Sequence, residues 1–245
     1  MNIEITESRE ALGLAAGKAI ATALRQKIAA NGHANVAFAA APSQNETLAT
    51  LVHEPGIDWA RVTAFHLDEY AGASAQSPWS FRRYLREHIL DRVKPGIFHG
   101  IRGEAPDQAA ECARYAALLP SGGFDIALLG IGENGHLAFN DPPCDFNDPE
   151  PVRVLALDAA CRIQQVHDGA FASIDDVPTQ AFTLTIPVLM AAHEVFVMVP
   201  GPAKAAAVAA TLEGTLTNEC PASILREHPR VALFIDRAAA SGLSI

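Results

Sequence analysis

Short apolar runs with the character of buried strands alternate with helical patterns along this chain, and that alternation limits its fold more than any other feature. The predicted strands are 36–41, 61–65, 124–129, 153–157, 182–186, 194–199 and 231–235. The predicted helices are 7–30, 46–53, 80–90, 107–119 and an alanine-rich helix after residue 202. Strands of five or six apolar residues between helices are typical of a parallel sheet covered on both faces. We therefore predict an α/β protein, one domain over residues 1–245, with a mostly parallel, doubly wound (Rossmann-like) sheet flanked by helices.

Charge and hydropathy argue against two classes of partner. The formal net charge is −10, whereas binding of nucleic-acid phosphates needs a basic face. No uninterrupted apolar run reaches the length of a membrane span. The N-terminal stretch lacks the basic and apolar regions of a secretory signal. We expect a cytoplasmic protein that binds neither nucleic acid nor membrane.

The four cysteines are scattered: Cys112, Cys144, Cys161 and Cys220. None of their spacings matches a C-x-x-C pair, so the sequence indicates neither a zinc site nor a disulfide framework. Free thiols in a reducing compartment are the expected state.

The stretch 130–143, GIGENGHLAFNDPP, carries the densest set of polar side chains. It follows the apolar run 126–129, and its glycines, including Gly132 and Gly135, let backbone N–H groups approach a ligand. In a parallel α/β sheet, ligands bind outside the carboxyl ends of the strands. A site containing His136 is therefore predicted here. A glycine-rich turn with a satisfied histidine is the alternative, because a lone G-x-G is a weak signal.

Two further strand ends carry candidate groups. Asp68 and Glu69 follow the strand 61–65, and a carboxylate beside a core needs a partner or a purpose; a helix N-cap by Asp68 is the alternative. Lys204 stands where a helix begins after the strand 194–199. A helix N-terminus favours anions and a lysine adds charge, although such a lysine is also common as a solvated surface residue.

The stretch 130–143 resembles the signature of the glucosamine-6-phosphate deaminase family. The segment DEYAG at 68–72, the glycine and lysine at 201–204, and the segments 177–185 and 213–229 are similar to that family as well, so the resemblance spans roughly residues 5 to 237. It implies a deaminase/phosphogluconolactonase-like fold. It also implies an enzyme that converts glucosamine 6-phosphate and water to fructose 6-phosphate and ammonia, without a metal or another cofactor. Homo-oligomers are common in the family, so the resemblance leaves the oligomeric state of this chain open between a monomer and a homo-oligomer.

The resemblance implies roles for individual residues. Asp68 would move a proton between adjacent sugar carbons. His136 would open the pyranose ring, with Asn134 and Asp141 orienting its imidazole. The implied substrate-binding residues are Ser43, Gln44, Asn45, Glu69, Gly132, Gly135, His167 and Lys204.

Some positions depart from the family pattern. The phosphate cradle P-T-G-G-[TS] is replaced by 42–46, PSQNE, where Gln44 and Asn45 either crowd the anion or donate side-chain N–H bonds to it. His167 lies near the position of a family arginine. Asp141 is one methylene shorter than the usual glutamate. Whether the 6-phosphate is required is therefore left open.

Two other functions remain from the sequence. The family of 6-phosphogluconolactonases has a similar G-x-G-E-x-G-H loop, and Glu133 fits it. A catalytically silent sugar-phosphate sensor would explain the altered cradle. The irregular, proline-rich segment within 141–176 is expected to form a lid over the site.

Overall fold

A seven-stranded parallel sheet forms the centre of the structure, a computed structural model that describes residues 1–244. Its strand order is β1-β10-β9-β6-β2-β3-β5. The strands are β1 Asn2–Thr6, β2 Ala34–Phe38, β3 Val62–His66, β4 Asp68–Tyr70, β5 Ile97–His99, β6 Ile126–Leu129, β7 Val152–Ala156, β8 Gln180–Leu184, β9 Glu194–Val199 and β10 Val231–Asp236. The prediction of a mostly parallel sheet flanked by helices is confirmed.

The helices cover both faces of this sheet, and each face has its own set of buried apolar side chains. They are α1 Arg9–Asn31, α2 Asn45–His53, α3 Phe81–Leu85, α4 Asp91–Val93, α5 Gln108–Ala116, α6 Ala159–His167, α7 Ile186–Met190 and α8 Ala205–Glu213. A π-helical turn, Arg86–Leu90, joins α3 to α4. Short 3-10 turns precede α2 at Pro42–Gln44 and α8 at Pro202–Lys204.

Helix α1 fixes the position of α2, whose start borders the site described below. The side chain of Ser8 caps the N-terminus of α1, and Gly32 ends the helix in a left-handed conformation with φ 79°. Between these ends, two glycines of α1 let its backbone pack directly against α2. A Cβ added at Gly13 would lie 2.3 Å from Cβ of Glu46, and one at Gly17 would lie 2.6 Å from Cβ of Thr50.

A second, antiparallel sheet has the order β4-β8-β7. The predicted strands 153–157 and 182–186 correspond to β7 and β8, so their assignment to the parallel sheet was wrong. A buried strand has the same apolar pattern in either direction, and pairing with the three-residue strand β4 decides the outcome. Phe182 and Leu184 of β8 share one buried cluster with the central strands, so the two sheets have a common core.

The sequence analysis missed several elements that the structure contains, among them β1, β4, β5, α6 and α7. Strand β1 is exposed at four of its five residues, so it lacks an apolar run. Strand β5 has only three residues. Helix α6 lies within the segment expected to be irregular. No helix in residues 1–244 is both long enough and apolar enough to cross a bilayer.

Candidate active site

A cavity of about 260 Å³ opens at the carboxyl ends of β2, β3, β6 and β9. Asp68, the first residue of β4, reaches it from just beyond the end of β3, and His136 reaches it from the loop after β6. Ser43 and Lys204 line it from the segments after β2 and β9. The structure therefore brings four sequence-predicted residues from four strand ends into one cavity, as parallel strands of a single sheet require.

Asp68 is the buried acid of this cavity, with only 7% of its surface exposed. Its backbone pairs with Thr183 in the second sheet, which fixes where the side chain begins. No donor within the described residues 1–244 hydrogen-bonds to its carboxylate. Burial, with a smaller contribution from the neighbouring charge of Glu69, raises the pKa of Asp68 well above its ordinary value. A carboxylate in this state is a strong proton acceptor when it is ionised.

Glu69 lies behind the cavity wall, because successive side chains of a strand point to opposite faces. Its carboxylate accepts hydrogen bonds from Oγ of Ser80 at 2.8 Å and from the backbone N–H groups of Phe81 at 3.0 Å and Arg82 at 3.1 Å. Burial raises its pKa, and these hydrogen bonds partly oppose that shift. The structure does not bring Glu69 to the cavity, and it holds the start of α3 instead.

His136 is held by the glycine-rich loop and by two acidic or amide side chains. Its backbone N–H donates to Oδ1 of Asn134 at 3.1 Å, and its carbonyl accepts from Gly132 at 3.0 Å. Nδ1 of its imidazole lies 3.2 Å from Oδ1 of Asp141, although the two groups are not aligned for a hydrogen bond. Asn134 donates to Asp141 at 3.1 Å and to Asp158 at 3.2 Å. The aspartate at 141 thus reaches the imidazole despite its shorter side chain.

The carboxylate of Asp141 is set up to remain charged beside this imidazole. Burial disfavours its ionised form, but contact with His136 and hydrogen bonds from Asn134 and the backbone of Asp158 outweigh burial and lower its pKa. An ionised acid next to an imidazole stabilises the imidazolium and orients the ring.

Gly132 and Gly135 of the loop are glycines for different structural reasons. A Cβ at Gly132 would lie 2.3 Å from both Cε1 and Nδ1 of His136, so the imidazole occupies the space that only glycine leaves free. Gly135 has φ 85°, in the left-handed region, and packs against Cys220. Gly132 lines the cavity, whereas Gly135 shapes the turn outside it.

Lys204 places a buried cation in the wall of the cavity. It is 8% exposed, and no carboxylate of residues 1–244 lies within ion-pair distance of its ammonium. Burial lowers its pKa, while the charges of Asp168 and Glu133 act in the opposite direction. A buried, unpaired ammonium favours an anionic ligand.

The altered cradle at 42–46 does not present its two amides to the cavity. Gln44 is fully buried, and its Nε2 donates to the carbonyl of Leu129 at 3.3 Å and to Oγ of Ser43 at 3.0 Å. Oδ1 of Asn45 accepts from the hydroxyl of Tyr84 at 2.6 Å. Neither amide crowds the cavity or donates into it, so both sequence-based options for them lack structural support. The hydroxyl of Ser43 remains on the cavity wall.

The acidic residue that ends this segment, Glu46, is paired with a cation. Glu46 forms an ion pair with Arg9 at 2.7 Å, and Arg9 also donates to the carbonyl of Pro42. The extra negative charge at the start of α2 is therefore compensated from α1.

His167 lies outside the cavity wall. Its side chain is 59% exposed, and Nδ1 is 3.6 Å from Oε2 of Glu133. Its helix instead turns Gln164 and Gln165 toward the cavity, and Asp168 follows them. The sequence analysis missed these three residues. Gln164 and Asp168 are four positions apart, and in a predicted helix this spacing would have placed these two side chains on one face.

An aromatic wall completes the cavity, and it too was not predicted. Its members are Trp79, Phe81, Tyr84 and Phe139. Phe81 stacks on Phe139 with an interplanar angle of 14°, and both pack against Tyr70. These side chains add aromatic surface to a cavity that the charged groups also line.

Comparisons with known proteins agree with this geometry. A family model described as glucosamine-6-phosphate isomerases/6-phosphogluconolactonase matches residues 7–233. The chain is 34% identical to a curated glucosamine-6-phosphate deaminase of Listeria monocytogenes, over 92% of this chain and 95% of that protein. It is 37% identical to one of an Exiguobacterium species, over 77% of this chain and 72% of that protein.

Solved structures show the same relationship. A monomeric glucosamine-6-phosphate deaminase superposes with a TM-score of 0.91 at 32% identity, covering 99% of this chain and 100% of that one. A 6-phosphogluconolactonase of Trypanosoma brucei superposes with a TM-score of 0.79 at 21% identity, covering 99% and 98% of the two chains. The second likeness establishes the fold alone.

Proposed function

Because the chain belongs to the glucosamine-6-phosphate isomerase/6-phosphogluconolactonase family, we propose that it catalyses the isomerising deamination of glucosamine 6-phosphate to fructose 6-phosphate and ammonia. The observation that carries the proposal is that Asp68 and His136 face one cavity from separate strand ends. A sugar held between them meets a carboxylate on one side and an imidazole on the other.

His136 performs the first step, which opens the pyranose ring. One ring nitrogen takes the proton of the anomeric hydroxyl, and the imidazolium returns a proton to the ring oxygen as the carbon–oxygen bond breaks. Asp141, ionised and 3.2 Å from Nδ1, stabilises the imidazolium between these transfers. Asn134 holds Asp141 in place through its own hydrogen bond.

Asp68 performs the second step on the open-chain amino aldehyde. Its carboxylate removes the proton at carbon 2, which gives an enolamine, and then delivers a proton to carbon 1. The resulting imine at carbon 2 takes up water, and ammonia leaves. The lack of protein donors to this carboxylate fits a group that must accept a proton from carbon.

The test of the function is an ammonia-release assay on purified protein with glucosamine 6-phosphate at millimolar concentration. Lactone hydrolysis of 6-phosphogluconolactone is measured in parallel, because the related family hydrolyses that ester. Deamination without hydrolysis is the expected result. A folded protein that gives no ammonia but hydrolyses the lactone would instead make it a lactonase. If the folded protein catalyses neither reaction, the silent sensor becomes the better description.

Lys204 is proposed to bind the 6-phosphate, with the hydroxyl of Ser43 nearby. Replacing Lys204 by methionine keeps most of the buried stem and removes the charge. A hydrogen bond to a charged group contributes about 1.5–3 kcal/mol, so KM for glucosamine 6-phosphate should rise roughly 10- to 100-fold. The measurement compares kcat/KM for glucosamine 6-phosphate and for glucosamine, in Lys204→Met and in the exposed control Lys18→Met. An equal effect on both sugars would contradict a phosphate contact.

Gly132→Ala tests the packing of the imidazole. The backbone of Gly132 is outside the left-handed region, so alanine can adopt it, but its Cβ must displace His136. Misplacing a catalytic group by about 1 Å can cost roughly 100-fold, and we expect a loss of kcat of that order. The control is Gly122→Ala, where a Cβ meets no atom within 4 Å. Full activity of Gly132→Ala would show that the ring position is not critical.

We further propose a lid within residues 141–176, as expected from the sequence, since Gln164, Gln165 and Asp168 of this segment line the cavity. A cytoplasmic location is proposed because the cysteines are all free thiols in the structure. The homo-oligomer stays a prediction, and one of the similar structures is that of a monomeric enzyme.

A further inference from the structure

A cluster of three metal-ligating side chains lies directly behind the catalytic imidazole. Nδ1 of His136, a carboxylate oxygen of Asp141 and Sγ of Cys161 all lie within 4.8 Å of one another. Cys161 is only 1% exposed and sits in the first turn of α6, where its backbone N–H donates to Asp158. No metal-binding sequence spacing joins these three positions, so only the fold assembles them.

A second feature of the cluster points to a ligand. Nδ1 of His136 is buried and has no hydrogen-bond partner among residues 1–244. Buried polar atoms are nearly always hydrogen-bonded, and an exception calls for an explanation. Oδ1 of Asp141 lies 3.2 Å from this nitrogen, and Sγ of Cys161 lies within 4.8 Å of it.

We propose that Cys161, His136 and Asp141 bind a thiophilic divalent cation of the zinc class and that this cation inhibits the enzyme. One thiolate, one imidazole and one carboxylate form a ligand set that zinc accepts, with a fourth position left for water or a ligand in the cavity. Ligand atoms around tetrahedral zinc are roughly 3.3–3.8 Å apart, so the side chains must approach each other by about 1 Å. Rotation of the Cys161 side chain can supply that movement.

Binding exchanges a proton for the metal. Burial, together with the charges of Asp141 and Asp158, raises the pKa of Cys161, so the free protein holds a neutral thiol there. On binding, the S–H bond breaks, the proton leaves to solvent and the thiolate forms the bond to the metal. No electron is transferred, and no oxidant or reductant is required.

The inhibition follows from the position of the metal on the imidazole. With Nδ1 bound to the cation, neutral His136 carries its only proton on Nε2, so it can donate a proton but cannot accept one from the anomeric hydroxyl. Because the carboxylate of Asp141 also binds the cation, it no longer stabilises a positive charge on the imidazole of His136. Inhibition rests on the proposed deaminase function, whereas binding of the metal does not.

The first test is binding of Co²⁺ or Zn²⁺ alone to the full chain. A cobalt–thiolate charge-transfer absorption and one bound zinc per chain by calorimetry are expected, with affinity reduced by about tenfold or more in Cys161→Ser and Cys161→Ala. The matched controls are Cys112→Ser and Cys144→Ser, which should bind as the unaltered chain does. Absence of the thiolate absorption, or its persistence in both Cys161 variants, would overturn the site.

The second test measures turnover with added zinc. Zn²⁺ should inhibit ammonia release by the unaltered chain, Mg²⁺ should not, and the two Cys161 variants should keep full activity in metal-free buffer with at least about tenfold weaker zinc inhibition. Equal zinc inhibition of the variants would contradict the proposal. If the unaltered chain releases no ammonia at all, the proposed function fails, while the cobalt absorption still decides the metal site.

Discussion

Replacement of Asp68 by asparagine is expected to lower kcat for deamination of glucosamine 6-phosphate by about 10²–10⁴-fold. The amide has almost the same shape as the carboxylate but cannot accept a proton from carbon 2. KM should change little, because the group acts on a C–H bond and not on substrate binding. The matched control is Asp107→Asn, the same substitution at an exposed helix N-cap, where asparagine caps as well as aspartate does.

Exchange of hydrogen with solvent identifies the step that Asp68 serves. The unaltered enzyme, given fructose 6-phosphate and ammonium in deuterium oxide, should place deuterium at carbon 1, and Asp68→Asn should not. A variant that still exchanges this hydrogen at the normal rate would remove the assigned role, whatever its effect on kcat.

Asp68→Asn is also expected to change the free energy of unfolding. The folded-state pKa of Asp68 is raised above its unfolded value, so the folded protein binds this proton more tightly than the unfolded chain does. Protonated Asp68 therefore adds to the free energy of unfolding at low pH, and this contribution is lost as the pH rises through the raised pKa. Asp68→Asn should unfold at a higher temperature than the unaltered chain at neutral pH, and the difference should shrink on acidification. Activity of the unaltered enzyme should fall as the pH drops through the same pKa.

These expectations distinguish a carboxylate that acts as a base, as proposed for Asp68, from a carboxylate that stabilises the fold. The pKa of Glu69 is raised too, but its carboxylate accepts five hydrogen bonds, from Tyr70, Ser80, Phe81 and Arg82. Amidation would turn an NH2 group toward these donors, so Glu69→Gln should lower the free energy of unfolding. A carboxylate kept unpaired for chemistry gains stability when its charge is removed, and it loses activity in the same step.

The sequence was sufficient where a strand leads directly into a polar segment. The runs before Asp68 and His136 are buried and apolar, so their ends could be located, and parallel strands bring such ends together. The resemblance of the loop 130–143 to the deaminase signature supplied the roles. Glu69 shows a step that period-two alternation alone could have corrected, since a neighbour of an inward-facing Asp68 must face the other way.

The remaining parts of the site depend on contacts that no local pattern contains. Strand β4 has three residues, and it exists because β8 pairs with it, so the second sheet could not be separated from the first by its apolar runs. Gln164 and Asp168 reach the cavity only because α6 packs over it. Cys161 approaches His136 across 25 positions of sequence for the same reason.

Replacement of His136 by glutamine is expected to lower kcat for glucosamine 6-phosphate by about 10²–10⁴-fold, with deuterium exchange at carbon 1 of fructose 6-phosphate largely retained. Glutamine fills part of the imidazole volume and can donate a hydrogen bond, but it cannot gain and lose a proton near neutral pH. Ring opening then proceeds only at the rate of the free sugar in solution. Asp68 remains intact, so it can still act on the open-chain form.

The contrast between the two variants is the decisive measurement, because each step is assigned to one residue. Asp68→Asn should lose both turnover and exchange, whereas His136→Gln should lose turnover and keep exchange. The control for the histidine variant is His33→Gln, at an exposed position far along the chain from the site. Loss of exchange in His136→Gln, with its unfolding temperature unchanged, would mean that the imidazole takes part in proton transfer between carbons. The assignment of proton transfer between the carbons to Asp68 alone, and of ring opening alone to His136, would then be wrong.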